Sequence, residues 1–149
     1  MDTGKQTVTV ISFVVDGTPV AQPRHRATAR GGFVHHYLPT EHPIHAYKQS
    51  IAIKASEQNV ATIEGAVRLD LLFSFLHPKR SKNHKAQFKI SKPDLDNLEK
   101  AVMDSLTDSG IWCDDAQVVE KHSAKIFGDT QGTCITIRSI EFPIVIKEK

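Results

Sequence analysis

Cysteine is scarce in this chain. Cys113 and Cys134 are the only two in 149 residues, and their spacing matches neither a zinc site nor a redox pair. A chain of this length needs no disulfide staples to hold a core, so a reducing, cytoplasmic compartment is expected. Long apolar runs are also missing. The longest, around Val8–Val15, is far shorter than the roughly 20 residues a membrane helix needs. No apolar segment of signal-peptide type follows a basic start, so no membrane partner is expected. There is no GxxxxGK[ST] loop, no GxGxxG, no GxSxG elbow and no HExxH or C₂H₂ spacing. ATPase, dinucleotide-binding, serine-hydrolase and zinc-finger readings therefore have nothing to stand on.

Acid is absent from two long stretches, and this is more telling than the net charge of +2. Gly17–Thr40 holds Arg24, Arg26 and Arg30 and no acid. Leu71–Lys92 holds six bases (Lys79, Arg80, Lys82, Lys85, Lys89, Lys92) and again no acid. From Pro93 to Glu120 the balance reverses, with eight acids against Lys100 alone. Such runs are often no more than solvated faces. Two basic segments flanking one acidic centre also suit a polyanion held around a bound cation.

Periodicity supplies the elements. Thr7–Val15 reads as a strand, rich in Val, Ile and Phe, closed by the turn Asp16-Gly17-Thr18-Pro19. Arg30-Gly31-Gly32-Phe33 reads as the tip of a loop or hairpin. Thr40 is placed to cap a helix running to about Gln58. Ala66–Leu76 is a strand with Val67, Leu69, Leu71, Phe73 and Phe75 on one face. His77–Lys92 is a basic loop. Leu95, Leu98, Val102 and Leu106 give the clearest helix, over Pro93–Thr107, with Asp94 as N-cap and Asp108-Ser109-Gly110 as its stop. Gln117–Phe127 and Thr133–Phe142 read as strands joined by a hairpin-type turn at Gly128–Gly132. Leu106, Ile111 and Trp112 are expected in the core. The order β-α-β-α-β-β predicts an α+β fold. One domain over 1–149 would carry two main helices on a mixed, roughly four-stranded sheet.

The chemistry is concentrated in Lys92-Pro93-Asp94-Leu95-Asp96-Asn97. Acids at a helix start are ordinary stabilisers, but two acids flanking one apolar residue can converge on one cation. Asp114-Asp115 offers two more carboxylates. Mg²⁺ favours such oxygen donors and accepts substrate phosphate as well; it can polarise a phosphodiester and activate water. Geometry constrains the meeting of the two pairs. The helix rises about 20 Å, and the seven residues from Asp108 to Asp114 span at most roughly 23 Å. Either that segment returns almost fully extended, or the helix is shorter, or a second subunit completes the site. Lys100, four residues beyond Asp96, reads on spacing alone as an i,i+4 salt bridge. His35, His36, His42 and His45 gather near the first helix start and suit phosphate contact or plain surface.

These residues resemble a known family. Lys92-Pro-Asp94-Leu-Asp96-Asn97-Leu-Glu-Lys100-Ala-Val-Met-Asp104-Ser-Leu106, followed by Gly110-Ile-Trp112-Cys-Asp114-Asp115-Ala-Gln117-Val-Val119, is similar to the signature of the RusA family of Holliday junction resolvases. Gly17-Thr-Pro-Val-Ala-Gln22-Pro23-Arg24-His-Arg26 resembles the opening of phage and prophage members. The resemblance implies a homodimeric, Mg²⁺-dependent endodeoxyribonuclease, with Mn²⁺ able to substitute. It would be bacterial or phage-encoded, binding four-way DNA junctions and nicking two opposed strands to leave 5′-phosphates. It assigns Asp94, Asp96, Asp114 and Asp115 to metal binding, with Asp94, Asp96, Asp115 and Lys100 essential to catalysis. Arg24, Arg26, Lys79, Arg80, Lys82 and Lys85 are then candidate phosphate contacts. The chain departs from some members in Cys113 and in its long basic loop. Two alternatives stand beside this reading: a branched-DNA-binding protein that does not cut, and a metal-dependent nuclease acting on other DNA structures.

Overall fold

The clean alternation over residues 67–76 becomes the centre of a sheet. The structure, a computed structural model, describes residues 8–23, 27–30, 33–36, 41–78 and 85–142. In chain order its strands are β1 (Val10–Asp16), β2 (Ala27–Arg30), β3 (Phe33–His36), β4 (Val67–Leu76), β5 (Gln87–Phe88), β6 (Val118–Gly128) and β7 (Gly132–Ser139). The helices are α1 (Pro43–Glu57) and α2 (Leu95–Ser109), and one 3-10 turn, Asp115–Gln117, precedes β6. Five strands form a mixed sheet in the order β1-β7-β4-β6-β5. Only β4 and β6 are parallel. The α+β class holds, with one more strand than expected: β5, in the basic segment, adds a two-residue edge to β6. Strands β2 and β3 pair separately with each other.

Strand β4 buries Val67, Leu69, Leu71, Phe73 and Phe75, and both helices pack over that face with Ile11, Phe13, Val15, Ile135 and Ile137. Leu106, Ile111 and Trp112 all lie in this core. On the opposite face Arg68 donates two hydrogen bonds to Asp70, at 3.0 and 3.1 Å. These bonds hold the Asp70 carboxyl below the usual carboxylate range.

The hairpin expected between the last two strands does not form. Strands β6 and β7 flank β4, one on each side. A strand as apolar as β4 pairs along both edges, and the last two strands supply the partners. Asp129–Gln131 bridges two strand spacings, about 10 Å, over the end of β4. There Ser74 Oγ donates to the Thr130 carbonyl at 2.5 Å. The crossing is tight: a Cβ on Gly132 would sit 3.1 Å from the Val15 carbonyl oxygen.

Helix α1 starts later than expected. Pro43 occupies its first turn and His42, not Thr40, caps it, Nδ1 accepting from the Ile44 amide at 3.1 Å. Proline suits this position because its missing N–H would be unpaired there anyway. Helix α2 is capped at Asp94 and ends at Gly110, whose φ of 80° is the left-handed conformation glycine adopts without strain. The two helices run in the same direction. His42 and Asp94 line one groove, while Ala55 and Ser109 line another at the far ends. Among the described residues no helix is long and apolar enough to cross a membrane.

One polar bond ties α1 to the sheet. The Tyr47 hydroxyl and Thr133 Oγ1 lie 2.6 Å apart in the core, where burial raises the Tyr47 pKa and the Thr133 bond partly offsets the rise. Thr133→Val keeps the side-chain shape and strands the hydroxyl. It is expected to cost about 1–3 kcal/mol in urea unfolding, with part recovered when Tyr47→Phe is added. A cost below about 0.5 kcal/mol would show that the hydroxyl finds another partner.

Candidate active site

The site begins on β6. Its register with β4 sets Lys121 opposite Leu69, Ser123 opposite Leu71, Lys125 opposite Phe73 and Phe127 opposite Phe75. Paired residues share a sheet face, so β6 turns three polar side chains toward the helix layer. Ser123 Oγ donates to Glu99 Oε2 at 2.6 Å, and Lys121 Nζ lies 3.4 Å from Glu99 Oε1. The Glu99 side chain is 13% exposed, so these partners engage both its oxygens inside the fold. Lys125 Nζ donates to the carbonyls of Ser91 (2.7 Å) and Pro93 (2.8 Å). Lys89 Nζ donates to the Lys92 carbonyl (2.6 Å) and to Ser91 Oγ (2.7 Å). It also lies over the rings of Phe75 and Phe127, 5.2 and 4.8 Å from their centroids. Burial, and next the neighbouring Lys125, lower the Lys89 pKa.

The gripped segment leads directly into Asp94. This residue holds the N-cap conformation, φ −69° and ψ 141°, yet its carboxylate makes no capping hydrogen bond. Asp96 stands in the first turn and accepts from the Asn97 amide at 2.9 Å. Both side chains are exposed. The Gln22 amide donates to the Asn97 carbonyl at 2.9 Å, which brings Ala21–Pro23 beside the helix start. The resulting groove, about 540 Å³, is lined by Gln22, His42, Lys92, Asp94 and Asn97 among others. Both helices open onto it with their positive dipole ends.

Lys100 is not paired with Asp96. Its ammonium lies 3.4 Å from Asp104, one turn further on, and Lys48 of α1 approaches the same carboxylate at 3.6 Å. Lys100 remains 61% exposed.

The second acidic pair is fixed by different means. Asp114 Oδ1 accepts from the Ala116 amide at 2.9 Å and caps the 3-10 turn. Gln117 completes a capping box: its Oε1 accepts from the Cys113 and Asp114 amides, and its Nε2 donates to the Ile63 and Gly65 carbonyls. Nearby, Trp112 Nε1 donates to Thr107 Oγ1 at 2.7 Å, and the Ile63 amide donates to the Ile111 carbonyl at 2.9 Å. All these bonds tie the pair to the C-terminal end of α2. Asp94 and Asp96 stand at the other end of a 15-residue helix, about 22 Å away along its axis. The chain after the helix does not run back extended but wraps the helix end through Trp112. Among the described residues, no three of His, Cys, Asp and Glu converge on one point. Within one chain, then, the two acidic pairs stay apart.

The donors nonetheless suit a hard cation. Among the described residues no ammonium or guanidinium pairs with Asp94, Asp96, Asp114 or Asp115. Asp94 has a carboxylate where a cap would be and does not cap with it. One or two carboxylates are what Mg²⁺ ordinarily takes from a protein. Of the candidate phosphate contacts, Arg24, Arg26, Lys79, Arg80 and Lys82 lie outside the described residues, and Lys85 is exposed. Sequence reasoning passed over Gln117, Glu99, Lys89 and Lys125. For Gln117 a signal existed, the capping-box spacing Asp114-x-x-Gln117.

Comparison with known proteins bears on this arrangement. The family described as Endodeoxyribonuclease RusA matches residues 16–138. The chain is 34% identical over 140 residues to a Bacillus subtilis (strain 168) protein named Uncharacterized protein YqaN, covering 87% of this chain and 96% of that one. It is 38% identical over 73 residues to the crossover junction endodeoxyribonuclease RusA of Escherichia coli K12, covering 49% of this chain and 59% of the relative. The protein of the same name from Enterobacteria phage 82 matches to the same extent. The chain thus aligns with less than two thirds of the length of these last two relatives.

Asp114 caps the turn, and its cap can be separated from its charge. Asp114→Asn keeps a capping oxygen and should leave stability in urea within about 0.5 kcal/mol, whereas Asp114→Ala should lose about 1 kcal/mol. Equal losses in the two variants would show that the charge, not the cap, holds the turn.

Proposed function

Since this chain belongs to the RusA endodeoxyribonuclease family, we propose that it is a Mg²⁺-dependent Holliday junction resolvase whose active sites are each completed by a second copy of the chain. The observation that carries the proposal is the placement of the four aspartates. Two lie at each end of α2, with no cation paired to them among the described residues. About 22 Å of helix separates the pairs, so one chain brings only half of the donors to any one ion. A two-fold dimer that sets the start of one α2 against the Asp114–Asp115 turn of its partner makes two equivalent sites. A four-way junction has the matching symmetry, and each site then nicks one of two opposed strands.

In this reading Asp94 and Asp96 hold the ion from one subunit and Asp115 from the other. Asp114 adds negative charge while capping its turn. Bound Mg²⁺ would supply Lewis-acid polarisation of the phosphodiester and an activated water. Lys100, exposed one turn beyond Asp96, brings positive charge to the phosphate as negative charge develops. Arg24, Arg26, Lys79, Arg80, Lys82 and Lys85 hold the DNA backbone.

Two experiments test the proposal. A four-way junction and a matched linear duplex are incubated with the protein, with and without Mg²⁺. Metal-dependent nicking of the junction is expected, falling by about 100-fold or more in Asp96→Asn. Equal cutting of the duplex would favour a nuclease of other DNA structures, and binding without cutting a non-catalytic module. The second experiment mixes Asp96→Asn with Asp115→Asn, each inactive alone. If sites span subunits, each hybrid dimer has one site with both residues intact and one with both changed. Random mixing makes about half of the dimers hybrids, so single-strand nicking should return. No recovery after subunit exchange would place each site within one chain.

A further inference from the structure

Asp94 and Asp96 are useful as ligands only if the turn before α2 holds them in one orientation, and the acids themselves do not supply that hold. Asp94 makes no capping bond, and Asp96 bonds only the adjacent Asn97 amide among the described residues. The turn is instead gripped from beneath. Three consecutive carbonyls, those of Ser91, Lys92 and Pro93, each accept from a lysine ammonium at 2.6–2.8 Å. Lys125 reaches up from the inner face of β6, where its register partner on β4 is the buried Phe73. Lys89 comes from the segment after β5 and is itself fixed by the Ser91 hydroxyl and two aromatic rings.

We infer that Lys89 and Lys125 are positioning residues. They bind no substrate and fix the Ser91–Pro93 carbonyls, so that Asp94 and Asp96 face a metal ion in a set orientation. The inference rests on the metal-binding reading of the two aspartates. A lysine suits this task because one ammonium carries three donors and can serve two carbonyls at once. Methionine fills similar volume and donates nothing, so substitution unties the carbonyls without emptying the space. Groups that orient metal ligands from outside the coordination shell typically change affinity by about 10- to 100-fold when removed.

The test uses the full-length protein without DNA. Mn²⁺ binding is read by the loss of the free-ion paramagnetic resonance signal in wild type, Lys125→Met, Lys89→Met and Lys125→Arg. Backbone amide exchange over residues 91–97 is measured on the same samples. Lys125→Met and Lys89→Met should each bind Mn²⁺ about 10-fold more weakly, with faster exchange at 94–97. Lys125→Arg, which keeps cationic donors, should recover most of the loss. Junction affinity in metal-free buffer should stay within about two-fold of wild type. Unchanged Mn²⁺ affinity in both methionine variants overturns the inference, as does weaker Mn²⁺ binding with unaltered exchange. A large drop in metal-free junction affinity also overturns it, because the lysines would then be DNA contacts. If Lys125→Met does not fold, Lys89→Met carries the test. If wild type takes up no Mn²⁺, the metal reading of the aspartates fails, and the exchange data alone decide whether the lysines hold the turn.

Discussion

An acidic helix start on a sheet needs a floor that is not hydrophobic, and β6 provides it. A strand beside β4 would ordinarily continue the apolar face of Leu69, Leu71 and Phe73. Strand β6 instead presents Lys121, Ser123 and Lys125 at those positions. Each bonds some part of α2 or the turn before it. Buried charges cost solvation, and paired burial is weak evidence for stability. What such pairs do well is fix position, because an ammonium between carbonyls tolerates little sliding. The hydrophobic core holds α2 against the sheet through Leu98, Ala101, Val102 and Leu106. The polar bonds of β6 set where along the sheet the helix begins. The orientation of Asp94 and Asp96 follows from that.

The helix length then decides the architecture of the site. A 15-residue helix, with Asp94 as its cap and Asp96 in its first turn, leads from the first acidic pair to the wrapped turn that carries the second. The return path is closed by bonds among Trp112, Thr107, Ile63 and Gln117, so it cannot straighten without breaking them. The parallel arrangement of α1 and α2 adds an electrostatic difference between the two ends. Asp94 and Asp96 lie where both helix dipoles are positive. Asp114 and Asp115 lie beside the negative ends. In the proposed dimer, the positive helix ends of a second subunit would face this turn, and its aspartates would complete the donor set.

How much of this was legible in the sequence follows from where the periodicity was pure. Strand β4 alternates strictly, and α2 keeps one apolar face between an Asp and a Gly, so the strand was placed within one residue and the helix within two at each end. Asp94 and Asp96 stood out because two acids flank one apolar residue, and Asp114 and Asp115 because they are adjacent acids. The β6–β7 arrangement was hidden for a physical reason. Gly128–Gly132 has the composition of a hairpin, and composition does not reveal that β4 needs a partner on each edge. The His42 cap was hidden because imidazole is an uncommon capping group beside Ser, Thr, Asp and Asn. Lys89 and Lys125 were hidden because their partners are backbone carbonyls, which leave no trace in side-chain spacing.

That last point changes how the charge pattern should be read. Leu71–Lys92 looked like one basic surface of six residues. Lys89, however, has its donors on Ser91 and Lys92 and its charge over two aromatic rings. Arg68, Lys121 and Lys125 are likewise bonded to the protein's own carboxylates or carbonyls. A cation bonded to the protein's own carbonyls or carboxylates has little left for phosphate, since rotating toward DNA would strand those acceptors. For the proposed DNA contact, fewer cations are therefore open to phosphate than the basic count implies. Lys100 stands between the two kinds: its ammonium lies 3.4 Å from Asp104, yet 61% of its side chain is in solvent. Charge that binds and charge that builds are interleaved along this segment, and only three-dimensional partners separate them.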